Sequence, residues 1–181
     1  PMQSSAEGVT LTVPATAPDP VSSTIVLQVK GPLDIGQAGV VQDYDGSVVL
    51  PASEARLHGG DIKYETGDQR GCLGFWTNPD DWADWEFKVA RTGRFEVTAE
   101  VAGLEKVSLE VSVGEGRTKG AAAATGDYGK FKVAKLGVLE IASPGNVTPA
   151  VRPVKDGWQP LNLKAIRLKP DLAEAYVVRG G

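Results

Sequence analysis

The 181-residue chain is poor in the residues from which catalytic and metal sites are usually built, with one histidine, His58, and one cysteine, Cys72. A lone thiol forms no intrachain disulfide, and one His with one Cys falls short of the ligand set of a zinc site. There is no G-x-S-x-G elbow to hold a hydrolase serine. Lys and Arg are scattered and the formal net charge is −4, so no basic stripe is available to neutralise phosphates, which excludes a nucleic-acid partner. No apolar run approaches the roughly 20 residues that span a bilayer, and no signal-peptide pattern is present, so the sequence points to no membrane partner. The chain opens Pro-Met-Gln rather than on an initiator Met, and it reads as a fragment whose address lay upstream.

What the chain does have is apolar content (41%) sufficient for a core, arranged as short alternating segments. Val9 to Val13 and Thr24 to Lys30 read as two strands of a hairpin joined through TAPDPVSS. A lone hairpin is marginal in water, so these strands must pack on something else. A Gly- and Asp-rich run follows, and residues 37–47 read as a linker. From Val48 onward strands are predicted at Trp85 to Val89, Phe95 to Val101, Val107 to Val113, Phe131 to Val133, Val138 to Ile141, Val147 to Arg152 and Leu161 to Leu168. In FEVTAEV and VSLEVSV every second residue is apolar, so one face is buried and one is solvated. Repeated over many strands, that pattern is an all-β sandwich. Ala121 to Ala124, bracketed by glycines, is a small-residue segment and not a helix, and residues 170–181 form a C-terminal tail.

The stretch GCLGFWTNPDDWADWEFKV, residues 71–89, holds three of the four tryptophans beside a polar, Pro-containing turn. Flat apolar rings next to acids and amides suit a sugar, which has a C–H face to stack and hydroxyls at its rim. Trp85, Phe87 and Val89 fall at period two and belong to the core. Phe75 and Trp76 are consecutive on a strand and so point to opposite faces, only one of which is core. Tyr128 and Trp158 sit in turns, where a ring either plugs the sandwich or meets a ligand. Asn162 offers both a donor and an acceptor, suited to sugar hydroxyls or to capping a turn. Asp80 and Asp81 could be imagined as a glycosidase acid/base pair, but adjacent carboxylates on an Asn-Pro-Asp-Asp turn seldom aim at one atom. His58, beside Gly59 and Gly60, is placed in a turn, and Glu54 is the nearest candidate ligand for calcium, against a reading as a surface strand residue.

The succession LGFWTNPDDWADWEF, RTGRFEVTAEVAG, VSLEVSVG, ATGDYGKFKVAKLGVLEI and GWQPLNLKAIRLKP resembles carbohydrate-binding modules of families 6 and 35. The match covers residues 48–169, about two-thirds of the chain, and rests on five motifs in order. It implies a jelly-roll β-sandwich of the galactose-binding-like kind, with a sugar held by Phe75, Tyr128 and Asn162 in a cleft at one end; Trp158 and Trp76 are the further candidates. Where the family carries acids tied to structural calcium, this chain has Lys164 and Ala52, with only Glu54 remaining, so no cofactor is expected. A second resemblance lies in VTLTVPATAPDPVSSTIVLQVKGPLDI, residues 9–35, which looks like the last strands of the β-domain of family 29 α-L-fucosidases. It implies that residues 1–36 end an upstream β-sandwich whose catalytic barrel lies outside this chain. The implied partners are a glycan and that upstream catalytic domain, and the implied location is secreted or periplasmic. The chain itself is then non-catalytic: a module targeting an attached glycoside hydrolase to glycan or, alternatively, a structural docking sandwich that binds no sugar.

Overall fold

In a computed structural model, residues 2–5, 8–16, 19, 24, 26, 39–67 and 71–171 are described. The chain divides into two compact units, Pro1–Gly36 and Gln37–Gly181. In the first, β1 (Met2–Ser5) and β2 (Gly8–Leu11) form an antiparallel hairpin with Met2 opposite Leu11 and Ser5 opposite Gly8. The second predicted strand, Thr24 to Lys30, lies outside the described residues except for Thr24 and Val26, neither of which is in a strand. The observed partner is the segment immediately upstream, which needs the shortest loop to close.

The second unit is built from β3 (Val48–Pro51), a 3-10 turn at Ala52–Glu54, β4 (Arg56–His58), β5 (Lys63–Glu65), β6 (Cys72–Trp76), β7 (Trp82–Asp84), β8 (Phe87–Val89), β9 (Gly93–Gly103), β10 (Val107–Val113), β11 (Gly116–Ala122), β12 (Lys132–Ile141), β13 (Gly145–Val147), β14 (Ala150–Pro153) and β15 (Leu161–Pro170). One sheet runs β11-β10-β14-β7-β4; the other runs β12-β9-β15-β6-β5, with β3 on the far half of β15, and β13 and β8 form a separate ribbon. Leu109, Val111 and Val151 from the first sheet meet Phe95, Val97, Leu163, Ile166 and Leu168 from the second in one buried cluster. This is the sandwich that the alternation demanded. Glycines let the two sheets approach where β11 crosses β12: a methyl group on Gly120 would run into the Leu136 backbone.

Several elements differ from the sequence reading for identifiable reasons. The two strands predicted at Phe131 to Val133 and Val138 to Ile141 are one strand, β12, whose period breaks at a bulge between Lys135 and Gly137, where Gly137 has φ +135°. Val147 to Arg152 divides into β13 and β14 around Pro149, a residue that cannot donate to a ladder. Strand β11 was missed because Gly116–Ala122 has no apolar alternation. Residues 39–47 are not a free linker. Val40 bridges Phe87, Gln42 bridges Val48, and the Gln42 amide accepts from Ala90 N–H (2.9 Å) and Arg91 N–H (2.7 Å).

Candidate ligand-binding cleft

The central element is β6. Against β15, Leu161 pairs with Trp76 and Leu163 with Leu73, so β6 carries one extra residue. Phe75 absorbs it by adopting a left-handed backbone, φ +52°, the only positive φ at a non-glycine among the described residues. Its ring is thereby turned out of the sandwich and is 61% exposed, while Trp76 beside it is 0% exposed. Such a conformation costs about 1–2 kcal/mol for an L-residue and persists only where the surroundings impose it.

Tyr128 arrives from the β11–β12 turn, which is pinned at several points. Thr125 and Gly126 N–H groups donate to Gly103 O (2.9 and 3.1 Å), Gly103 N–H donates to Thr125 Oγ1 (2.9 Å), and Gly129 N–H donates to Asp127 Oδ1 (2.6 Å). Asn162 on β15 completes the fastening by donating its Nδ2–H to Tyr128 O at 3.0 Å. Its carbonyl oxygen lies toward Gly74, where an added methyl group would collide with Glu65 Oε1 and come within 3.0 Å of Asn162 Oδ1. Phe75, Tyr128 and Asn162 thus share one cleft of about 620 Å³, within the range of roughly 300–1,000 Å³ usual for small-ligand sites. Glu65, Thr77, Asp127 and Phe131 also line it. Sequence reasoning missed these four. Phe131 was detectable as an aromatic at a strand start; Glu65 lies on β5, a strand of only three residues.

The remaining candidates are placed differently. Trp76 lines the inner wall of the cleft, yet its ring is buried and its indole N–H donates to Asp81 O at 3.0 Å, so it offers no open face for stacking. Trp158 is absent from the lining and packs on Trp76, with ring centroids 5.5 Å apart at 59°. Trp85 is core, its indole N–H donating to Pro51 O at 2.7 Å. Glu54 is exposed on the 3-10 turn rather than on a strand, and Ala52 beside it is buried.

Asp80 and Asp81 do not act together. Asp80 is exposed and pairs with Lys155, while Asp81 is 1% exposed and accepts N–H groups from Gly60 (3.3 Å), Asp61 (2.8 Å) and Ile62 (2.9 Å). Burial pushes the Asp81 carboxyl up, but the three backbone donors outweigh it and hold the group below the usual carboxylate range. Asp81 therefore fastens the 59–62 loop by accepting from three of its backbone N–H groups. His58 ends strand β4 instead of lying in a turn, and its ring stacks on Trp82 at 3.7 Å and 8°.

No protein-family model matches the chain, and no curated protein matches it. Solved structures do. A family 35 carbohydrate-binding module from Clostridium thermocellum aligns with a TM-score of 0.55 at 13% identity, over 69% of this chain and 98% of that one. A family 6 module of a Cellvibrio mixtus lichenase, in complex with cellotriose, aligns at 0.54 and 17% identity, over 68% of this chain and 96% of that one. A GH26-CBM35 β-(1,4)-mannanase of Podospora anserina aligns at 0.55 and 20% identity, over 70% of this chain but only 28% of that longer one. At these identities the likeness establishes the fold, a jelly-roll sandwich shared with carbohydrate-binding modules of families 6 and 35.

Proposed function

We propose that residues 48–169 are a non-catalytic carbohydrate-binding module that holds an attached glycoside hydrolase on its glycan. The observation that carries this reading is Phe75: a large apolar ring held outward by a strained backbone, in the same cleft as a second exposed ring and an anchored amide. Strain retained at an exposed aromatic is readily explained by a ligand that stacks on it. The module contributes by tethering, which raises the local concentration of substrate around its partner. A shallow cleft with two open rings gives weak single-site affinity. The fold neighbours, one of them solved with cellotriose, support a sugar as the ligand.

The segment VTLTVPATAPDPVSSTIVLQVKGPLDI supports assigning residues 1–36 to the end of an α-L-fucosidase-type β-domain, and with it an upstream catalytic domain and a secreted or periplasmic location. The proposal includes no structural calcium. Lys164 places its ammonium 4.2 Å from the Phe131 ring centroid, and buried Ala52 supplies no oxygen ligand from its side chain.

The test uses affinity gels of fucosylated, plant and algal glycans with the wild-type chain, Phe75→Gly and Tyr128→Ala. Retention of the wild type and loss in both variants is expected. Phe75→Gly also relieves the left-handed strain, so its Tm rises by about 2–4 °C while binding disappears. Retention surviving both substitutions would sink this site.

A further inference from the structure

The buried tryptophans are not equivalent. The indole N–H groups of Trp76 and Trp85 each donate to a backbone carbonyl, Asp81 O at 3.0 Å and Pro51 O at 2.7 Å. Trp158 Nε1 is buried as well, and among the described residues it is the one buried side-chain nitrogen or oxygen without a hydrogen-bond partner. Withholding an acceptor from a buried donor costs stability, and native folds carry few such groups. This one lies just behind the cleft. The Trp158 ring packs on Trp76, which forms the inner wall, and Pro160, Leu161 and Asn162 immediately downstream line the cleft itself.

The turn that carries Trp158 is held more lightly than the turn that carries Tyr128. Hydrogen bonds of Gly103, Asp127 and Asn162 all fasten the Tyr128 turn. Residues 154–160, between β14 and β15, join no ladder. The Val154 backbone N–H donates to Ser108 O at 3.0 Å where the segment begins, and the Trp158 backbone N–H closes the turn on Lys155 O at 3.2 Å. The Lys155 side chain pairs with Asp80, but the two are 69% and 68% exposed, and an exposed ion pair holds weakly. We propose that Trp158 is a ligand-dependent member of the site: when a glycan enters, the 155–159 turn shifts and the Trp158 indole N–H donates to an oxygen of the sugar. This rests on the cleft being a glycan site. The docked turn leaves the donor unpaired and the bound turn pairs it, so the glycan interacts differently with the two states, as a population shift requires. An indole N–H donates and does not accept, so the group it reads is an acceptor, a hydroxyl or N-acetyl carbonyl oxygen.

The full chain and its Trp158→Phe variant are compared on the fucosylated, plant and algal glycan gels. Phenylalanine keeps a ring against Trp76 and removes the N–H. Retention on whichever gel holds the wild type is expected to fall about tenfold, the scale of one lost hydrogen bond to a ligand, while the variant stays folded. In the isotopically labelled wild type, the Trp158 indole resonance, assigned by its disappearance in the variant, should move downfield when an oligosaccharide cut from the retained glycan is added. A purely structural role for Trp158 would not produce that shift. Undiminished retention of Trp158→Phe, or an indole resonance that stays in place while the Phe75 and Tyr128 amides shift, overturns the inference and leaves the cleft standing. If no gel retains the wild type, the cleft reading falls and this inference with it.

Discussion

Trp82 and Phe75 lie seven positions apart in one aromatic-rich run, yet they stand in opposite circumstances. The Trp82 ring has His58 stacked on it at 3.7 Å and the Arg152 guanidinium 3.9 Å from its centroid. Two groups that close must occupy its two faces, so none is left for a ligand. The stack is secured from beneath by buried Asp84, which accepts from Arg56 Nε at 2.6 Å and from His58 Nε2 at 3.0 Å. Among the described residues Phe75 has only the Lys63 ammonium, at 5.8 Å, and Tyr128 has no partner of that kind. Of the two, only Phe75 retains an open face, and that, rather than the number of rings, decides which end of the run can hold a sugar. Trp82 clamps β4 to β7 and β14.

The sharpest way to break this contrast is to remove one ring from each region. Tyr128→Ala should reduce glycan retention by more than tenfold while costing less stability than the loss of a core ring, since the residue is 39% exposed. Trp82→Ala should do the reverse, costing about 1–3 kcal/mol in denaturant unfolding and leaving retention intact. Loss of retention in Trp82→Ala at full foldedness would erase the distinction.

Asp81 supplies a further test, of the loop that adjoins both regions. Asp81→Ala should destabilise by about 1–3 kcal/mol, because three N–H groups, that of Ile62 buried, lose their acceptor. The pH dependence follows from the depressed carboxyl. Its contribution is complete above the unfolded value of about 3.9 and is lost as pH falls through the lower folded value. Unfolding midpoints measured down to strongly acidic pH should therefore fall less steeply in Asp81→Asn than in the wild type. The smallest expected effect is that of calcium: EGTA and added calcium should leave Tm unchanged, and a rise with calcium would contradict the account of Lys164.

Much of this was legible in the sequence where one face of a strand is buried. FEVTAEV and VSLEVSV gave β9 and β10 because period two survives when nothing interrupts it. It failed where an extra residue shifts the phase, as at Leu136 in β12, and where polar residues and glycine form a strand, as in β11. The cleft was legible through Phe75, Tyr128 and Asn162, but the reason Phe75 faces outward was not. A left-handed phenylalanine is set by the register of β6 against β15, and no local pattern encodes it. Asn162 had two readings, sugar ligand and turn cap, and its amide N–H does cap the Tyr128 turn. Asp81 resembled turn chemistry and is a buried staple, a distinction that depends on a loop some twenty residues upstream.

The central claim, that the glycan sits on Phe75 and Tyr128 and not on the Trp82 face, is tested most directly by titrating the isotopically labelled chain with a retained oligosaccharide and following backbone and indole N–H resonances. The account predicts shifts at Phe75, Tyr128, Gly129 and Asn162 and at the Trp76 indole behind them, with His58, Trp82 and Arg152 unmoved. Shifts confined to His58, Trp82 and Arg152, with the Phe75 cleft silent, would contradict it.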